Sequence, residues 1–459
     1  MKMKYIYIIL LGFSLIMSGC KKYLEIKPIN EQPDTDVLKS KANVQSVLNT
    51  AYDRVQADRF VGGRALIASE LYSDNVDMTT SSLVSSQDYG PFANRNFGIF
   101  NNVGRDVWST GYGAIYNANI VIDAVDKSMF TDATDAEKSL LKAEALFIRA
   151  LSHHNLVRIF ALPYSNNPSA DPGVPIRITR PTPEESLVPT PRATVSEVYQ
   201  QIVTDLKAAE LVLPVANNGR ATTWAAKALL ARVYFDMGDY NNAYAYSNDV
   251  ITNGGFTLGA DVTLPFRNVG PTQADGGVIF QIINISGDDN SSKLRGEFWN
   301  TNPGNIIFYV DPVFYAAFSA TDARRNSLIN PPGANKPYSL KYMGANPVNV
   351  PVIRLAEMYL TRAESAVRKG GYIVDDVRAD YNNLRTLAGL PPDIISSTDT
   401  ELLTAIQSER RFELATEGDR YFELRRLKQQ IRALSFNDKL QLLKIPDSET
   451  RANPNIEQN

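Results

Sequence analysis

The chain has 459 residues, 44% of them hydrophobic, and its 47 basic and 50 acidic side chains leave a formal net charge of −3. So small and evenly mixed a charge gives no electrostatic footprint for nucleic acid, and a single cysteine excludes an intramolecular disulfide and a thiolate metal cluster. The length allows two or three domains, and the apolar share permits a sizeable core.

At the N-terminus Lys2 and Lys4 precede an uncharged, mostly apolar run from Tyr5 to Met17, followed by Ser18 and Gly19. That is the layout of an export signal, and the run falls short of the roughly 20 residues a membrane span needs. The sole cysteine, Cys20, follows directly. Met17-Ser18-Gly19-Cys20 resembles the lipobox of bacterial lipoproteins, with Met17 where Leu is usual. Residues 1–19 are expected to be a signal peptide, with Cys20 as a lipid anchor. Each buried methylene of an acyl chain contributes about 0.8 kcal/mol, and stable anchoring takes more than one chain. An ordinary export signal with a chance cysteine is the plainer alternative.

Past the anchor, a helical scaffold is expected over about 36–73, 107–253 and 351–390. Three capping boxes mark helix starts: Thr134 with Glu137, Thr194 with Glu197, and Thr398 with Glu401. After the first, Leu141, Ala145, Ile148 and Leu151 fall on one helical face. Pro163 and Pro214 bound the first two helices, and Gly418 is expected to cap the third. Ala225 to Ile251 reads as a tetratricopeptide-like helix pair with a Gly238-Asp239-Tyr240 turn, and Val352 to Leu390 as a looser copy. Residues 41–57 with 110–126, and 136–160 with 195–213, are expected to be further pairs. The fold class is therefore mainly α, a decorated helical-repeat scaffold with few short strands.

Two stretches break this pattern, about 74–106 and 255–350. Both are rich in Gly, Asn and aromatics, and long loops on a rigid scaffold usually carry function. The C-terminal segment, 391–459, holds the charge-dense "SERRFELATEGDRYFELRRLKQ". Its Arg410–Glu413, Glu417–Arg420 and Glu423–Arg426 spacings suit helical ion pairs, so a structural role is expected.

Several motifs then agree with one family: "RLAEMYLTRAES", "LRTLAGLP", "ERRFELATEGDRYFELRRL", the closing "LLKIPDSETRANPNIEQN", "CKKYLEIKP", "AEALFIRALSHHNLVRIFALPY", and Trp108, Tyr112, Ile115 and Asn119 at helical spacing. In order, across essentially the whole chain, they resemble the RagB/SusD family of outer-membrane nutrient-uptake lipoproteins of Bacteroidetes. The resemblance implies one SusD-like domain over 20–459, lipid-anchored and facing the exterior. It further implies an oligosaccharide or peptide ligand, a SusC-like TonB-dependent outer membrane transporter as partner, and no cofactor, metal or catalytic residue.

A sugar site wants flat rings with amides and charged groups at the rim. Gly296–Asn305 supplies Phe298, Trp299, Asn300 and Asn302, and Gln87–Phe97 supplies Tyr89, Phe92, Asn94, Arg95 and Phe97. The plainer role for any one of these rings is to plug a loop onto the helices. Trp108 and Trp224 read as core. His153 and His154 are adjacent and point about 100° apart on a helix, so they do not form an i, i+4 ligand pair. Asp288-Asp289 is a weak calcium candidate. A lipid-anchored glycoside hydrolase and a periplasmic tetratricopeptide scaffold that binds only protein are the competing functions.

Overall fold

All three capping boxes form: in each, the threonine hydroxyl accepts from the glutamate N–H three residues on, and the glutamate carboxylate accepts from the threonine N–H. The computed structural model describes residues 38–186, 188–271, 276–287, 294, 306–331, 336–342 and 347–459. Its helices of eight or more residues are α1 (Lys41–Gln56), α2 (Arg64–Tyr72), α3 (Asn102–Asp126), α4 (Asp135–Phe160), α5 (Val195–Glu210) and α6 (Thr223–Met237). They continue with α7 (Tyr240–Asn253), α8 (Leu355–Lys369), α9 (Val374–Leu387), α10 (Asp399–Glu413) and α11 (Asp419–Arg426).

All of these helices but α2 and α11, which pack on each other, form an unbroken row of neighbours. α1 packs on α3, α3 on α4, α4 on α5, α5 on α6, α6 on α7, α7 on α8, and α8 on both α9 and α10. The four expected pairs are all present. Small residues let them approach: Ala225, Ala228, Ala231 and Ala243 are wholly buried, and Tyr234 stacks on Tyr246 with ring centroids 5.7 Å apart. Gly238 closes α6 with a φ of +75°, where a side chain would be strained, and Asp239 caps α7. The predicted face of α4 (Leu141, Ala145, Ile148 and Leu151) is buried.

The Trp108–Asn119 pattern also has a physical reason. On α3 the Tyr112 hydroxyl donates to the Pro175 carbonyl at 2.8 Å, and the Asn119 amide donates to those of Arg177 and Thr179, both at 3.1 Å. One helix face thus holds a whole extended segment. Trp108 is 1% exposed, as a core residue should be.

Short strands order the loop-rich stretches, and one pair, β1 with β3, joins the two. β1 (Val76–Asp77) pairs with β3 (Tyr309–Val310), β2 (Val278–Ile282) with β6 (Val350–Arg354), and β4 (Ile329–Asn330) with β5 (Tyr338–Ser339), all antiparallel. The Val310 N–H donates to the Pro337 carbonyl at 2.7 Å, which draws β5 beside β3.

The charge-dense C-terminal segment is structural, but all three of its expected pairings give way to others. α10 ends at Glu413, and Thr416 and Gly418 take positive φ in the turn to α11, so 417–420 is not one helix. Gly418 therefore opens α11 rather than closing α10. Arg410 binds Asp419, and Arg426 binds Glu364, while the one i, i+3 pair that forms is Arg420–Glu423. Glu413 and Glu417 turn inward to Arg354, at 2.9 and 2.7 Å, and Lys341 reaches Glu417 at 2.6 Å. Arg324 joins Asp322, Glu409 and Glu413 at 2.9, 2.5 and 3.2 Å. Burial alone would raise the Glu413 carboxyl, but the Arg354, Arg324 and Lys341 charges outweigh it and hold it at about 2. This buried network fastens the 306–354 stretch to α10.

Candidate functional site

The two predicted loop regions meet. The Ser82 hydroxyl donates to the Ile306 carbonyl at 3.1 Å, and the Tyr89 and Phe308 rings meet edge-to-face with centroids 5.0 Å apart. The stem that follows residues 298–305 therefore lands on the 80–92 stretch. Phe298, Trp299, Asn300, Asn302, Cys20, Asp288 and Asp289 lie outside the described residues.

Within 87–97 the expectation needs correction. Tyr89 and Phe92 are 2% and 0% exposed, so neither ring has a face to offer a ligand. Phe92 packs on Tyr72 and Phe97 with centroids 5.0 and 4.7 Å away, and Tyr72 stacks in turn on Tyr421 of α11. A short segment with few aliphatic residues can be fixed only by burying what rings it has. Arg95 is likewise turned inward: its guanidinium lies 5.0 Å from the Tyr72 ring centroid and Nη2 donates to the Tyr72 carbonyl at 3.2 Å, while Nη1 is buried without a partner among the described residues. Burial holds its pKa below the usual arginine value. Phe97 is half-buried in the same cluster. Of this set Asn94 alone is exposed.

What stands at the rim instead is a group built by β1, β3 and β5. Asp77 and Tyr309 are direct cross-strand partners and so share one face of the ribbon. The Asp77 carboxylate accepts from the Thr79 N–H at 2.8 Å, the Thr79 hydroxyl at 2.6 Å and the Lys336 ammonium at 2.5 Å. Burial pushes its carboxyl up, but those hydrogen bonds outweigh it and keep it below the usual aspartate value. Burial raises the Tyr309 hydroxyl, the Lys336 charge partly offsets this, and Tyr338 lies close enough to add to it. Tyr309 and Tyr338 are half-buried. Two phenol rings beside a fixed carboxylate, a hydroxyl and an ammonium can present an apolar face and polar anchors together. A carboxylate so held is an acceptor rather than a proton donor.

These residues were missed in the sequence. "FYVDP" and "NKPYSL" each set a tyrosine beside a proline-marked break, but only the strand pairing brings the two together.

His153 and His154 are both 1% exposed and take different partners: His153 Nδ1 lies 3.1 Å from the Arg149 carbonyl, and His154 Nε2 lies 2.9 Å from Asp236 Oδ2. Trp224 is half-buried against the core, with the Lys227 ammonium 5.1 Å from its ring.

Residues 22–235 match the SusD-like_3 family, described as "Starch-binding associating with outer membrane", and residues 232–437 match SusD_RagB, the SusD family. The chain belongs to the SusD/RagB family. Among similar solved structures of that family is a SusD superfamily protein from Bacteroides thetaiotaomicron, 27% identical, with a TM-score of 0.80 over 92% of this chain and 99% of the other. Surface glycan-binding protein A from Bacteroides uniformis shares the fold at 21% identity, with a TM-score of 0.76 over 92% of this chain and 99% of its own. SusD-like protein P2 of Formosa agariphila is 25% identical over 93% of this chain and 91% of its own length. The two SusD matches join inside α6, which packs on α5 and α7 alike, so the helix row runs through that point without a break. No helix among the described residues is long and apolar enough to cross a membrane.

Proposed function

We propose that this SusD/RagB chain binds an oligosaccharide at the loop face where the stem of the Trp299 segment meets β1, β3 and β5. In this reading a lipid on Cys20 holds it to the outer membrane, facing the exterior, and it hands its ligand to a SusC-like TonB-dependent transporter. The observation that carries the proposal is the convergence of both loop-rich stretches on one rim, with Tyr309, Tyr338 and Lys336 presented beside the Ile306 stem and buried Asp77 holding Lys336 in place. The starch-binding, outer-membrane description of the matched family supports it. Binding needs only fixed faces and fixed acceptors, which this rim supplies.

The test is isothermal titration of the full chain against a panel of oligosaccharides and peptides. Trp299→Ala and Tyr309→Ala should each weaken the best-binding glycan about tenfold, a loss of ~1.4 kcal/mol, with circular dichroism unchanged. Unaltered affinity in both variants would remove the loop face from the site, and binding confined to peptides would replace the ligand class.

Cys20→Ala should move the protein from the membrane fraction of the producing cell to the soluble fraction. If it stays with the membrane, the tether at Cys20 is wrong. Affinity capture of the wild-type chain should bring down a large outer-membrane barrel, and its absence would argue against the delivery step.

A further inference from the structure

A second concave site lies beside β2, away from the β1–β3–β5 rim. It consists of two adjoining hollows of about 320 and 360 Å³ that share Asn218, Gly219, Arg220 and Gln281. Between them stands the 217–220 turn, in which the Arg220 N–H donates to the Asn217 carbonyl at 2.8 Å. Asn218 and Gly219 take φ of 46° and 77°, the positive values that favour an Asn-Gly pair. Trp224 and Phe256 line one hollow and Tyr52 the other.

Two polar atoms here lack partners among the described residues. Gln281 is 6% exposed, and its Oε1 is buried with nothing to accept from. The Arg220 Nη2 is buried with nothing to donate to. The rest of Arg220 is firmly held: Nε donates to Glu144 at 2.6 Å, Nη1 donates to Asn49 at 2.9 Å, and the guanidinium lies 4.4 Å from the Tyr52 ring centroid. Leaving a buried polar atom unpaired costs roughly 1–3 kcal/mol, so two in one cleft invite a ligand.

The chemistry narrows what that ligand is. Glu144 already neutralises Arg220, so a charged group would find no counter-charge. One unpaired acceptor and one unpaired donor suit a pair of hydroxyls, since a hydroxyl both donates and accepts. Half-buried Trp224 and Phe256 offer apolar faces to sugar C–H groups. We infer that the cleft between the 217–220 turn and β2 is a second, independent saccharide subsite, with one hydroxyl donating to Gln281 Oε1 and a neighbouring hydroxyl accepting from Arg220 Nη2. The ligand class rests on the proposed saccharide binding, whereas the location rests on these atoms alone.

The test is the stoichiometry of malto-, xylo-, galacto- and mannohexaose on the full chain, read by isothermal titration and native mass spectrometry. Wild type should take two equivalents of at least one probe. Gln281→Leu removes an unpaired buried acceptor, so its unfolding midpoint should hold or rise while one of the two sites weakens at least tenfold. Phe256→Ala provides a second variant at the rim of the cleft and should weaken the same site. Tyr309→Ala should affect only the other site. A single site sensitive to Tyr309→Ala and blind to Gln281→Leu and Phe256→Ala would overturn the inference and leave the loop face standing. A single site with the opposite sensitivities would support the inference and overturn the loop face. No binding of any probe would overturn both.

Discussion

Arg354→Met should lower the free energy of unfolding by about 3–5 kcal/mol, the usual loss when a buried ion loses its partner. Arg354 is 4% exposed and donates to Glu413 at 2.9 Å and to Glu417 at 2.8 and 2.7 Å. Methionine roughly fills the volume but leaves the two buried carboxylates with Lys341 and Arg324 alone. The network is not stabilising merely because it is charged, since an apolar replacement of all its members together is often neutral. What destabilises is the half-dismantled state. Arg354→Met combined with Glu417→Gln should therefore lose less than the sum of the two single losses, a coupling that contacting residues show. Urea unfolding followed by circular dichroism measures all three. A loss below about 1 kcal/mol for Arg354→Met, the range of exposed pairs, would mean that water reaches these carboxylates.

Acidification from pH 7 to pH 5 should destabilise the chain through its two buried histidines, by about 2 kcal/mol once Glu70 is set against them. Burial, aided by the Arg149 charge, lowers His153 to about 3. Burial likewise lowers His154 to about 4, with Arg158 and Arg232 adding to it and Asp236 opposing. Both values lie below the unfolded value near 6.5, so between these limits the unfolded chain takes up protons that the folded chain refuses. Their stability is full above pH 6.5 and falls as the pH drops, by about 2 kcal/mol for each histidine at pH 5. Glu70 works the other way. Burial raises its carboxyl to about 7, even though the Gly418 N–H donates to it at 2.7 Å. Its contribution is full below the unfolded carboxylate range and lost as pH rises through 7, so on acidification it returns about 2 kcal/mol. Glu70→Gln keeps an acceptor for Gly418 and removes this counterweight. The acid loss should then nearly double, as read from urea midpoints at pH 7, 6 and 5. An unchanged slope in Glu70→Gln would show that Glu70 is already ionised in the folded protein.

The helix row was readable because its signals are local. Capping boxes, the Gly238-Asp239-Tyr240 turn and the apolar spacing of α4 each fix a conformation within a few residues. The pairings of α1 with α3 and of α4 with α5 were expected as further pairs of the same repeat, and they form. The charge pairs did not follow, because the i, i+3 rule describes an exposed helix face. Here Glu413 and Glu417 face β6 and Lys341, elements distant in sequence. The loop rings failed for a related reason: 87–97 has no period that tells inside from outside, so Tyr89 and Phe92 looked like a surface and are a wedge. Tyr309 and Tyr338 became neighbours only through two-residue strands, which leave almost no pattern in a sequence.

Those short strands have an engineering consequence. The stretch between Gly287 and Ile306 is held at both feet by contacts outside itself: Asn284 donates to the Val348 carbonyl at 2.9 Å, and Ser82 grips Ile306 at 3.1 Å. Doubling the length of a flexible loop costs only about 0.6 kcal/mol of closure entropy. The chassis should therefore tolerate exchange of residues between those two feet for others of different length and chemistry, so long as Leu294, which is wholly buried in the core, is kept. One helical frame would then carry inserts of different chemistry between the same two feet.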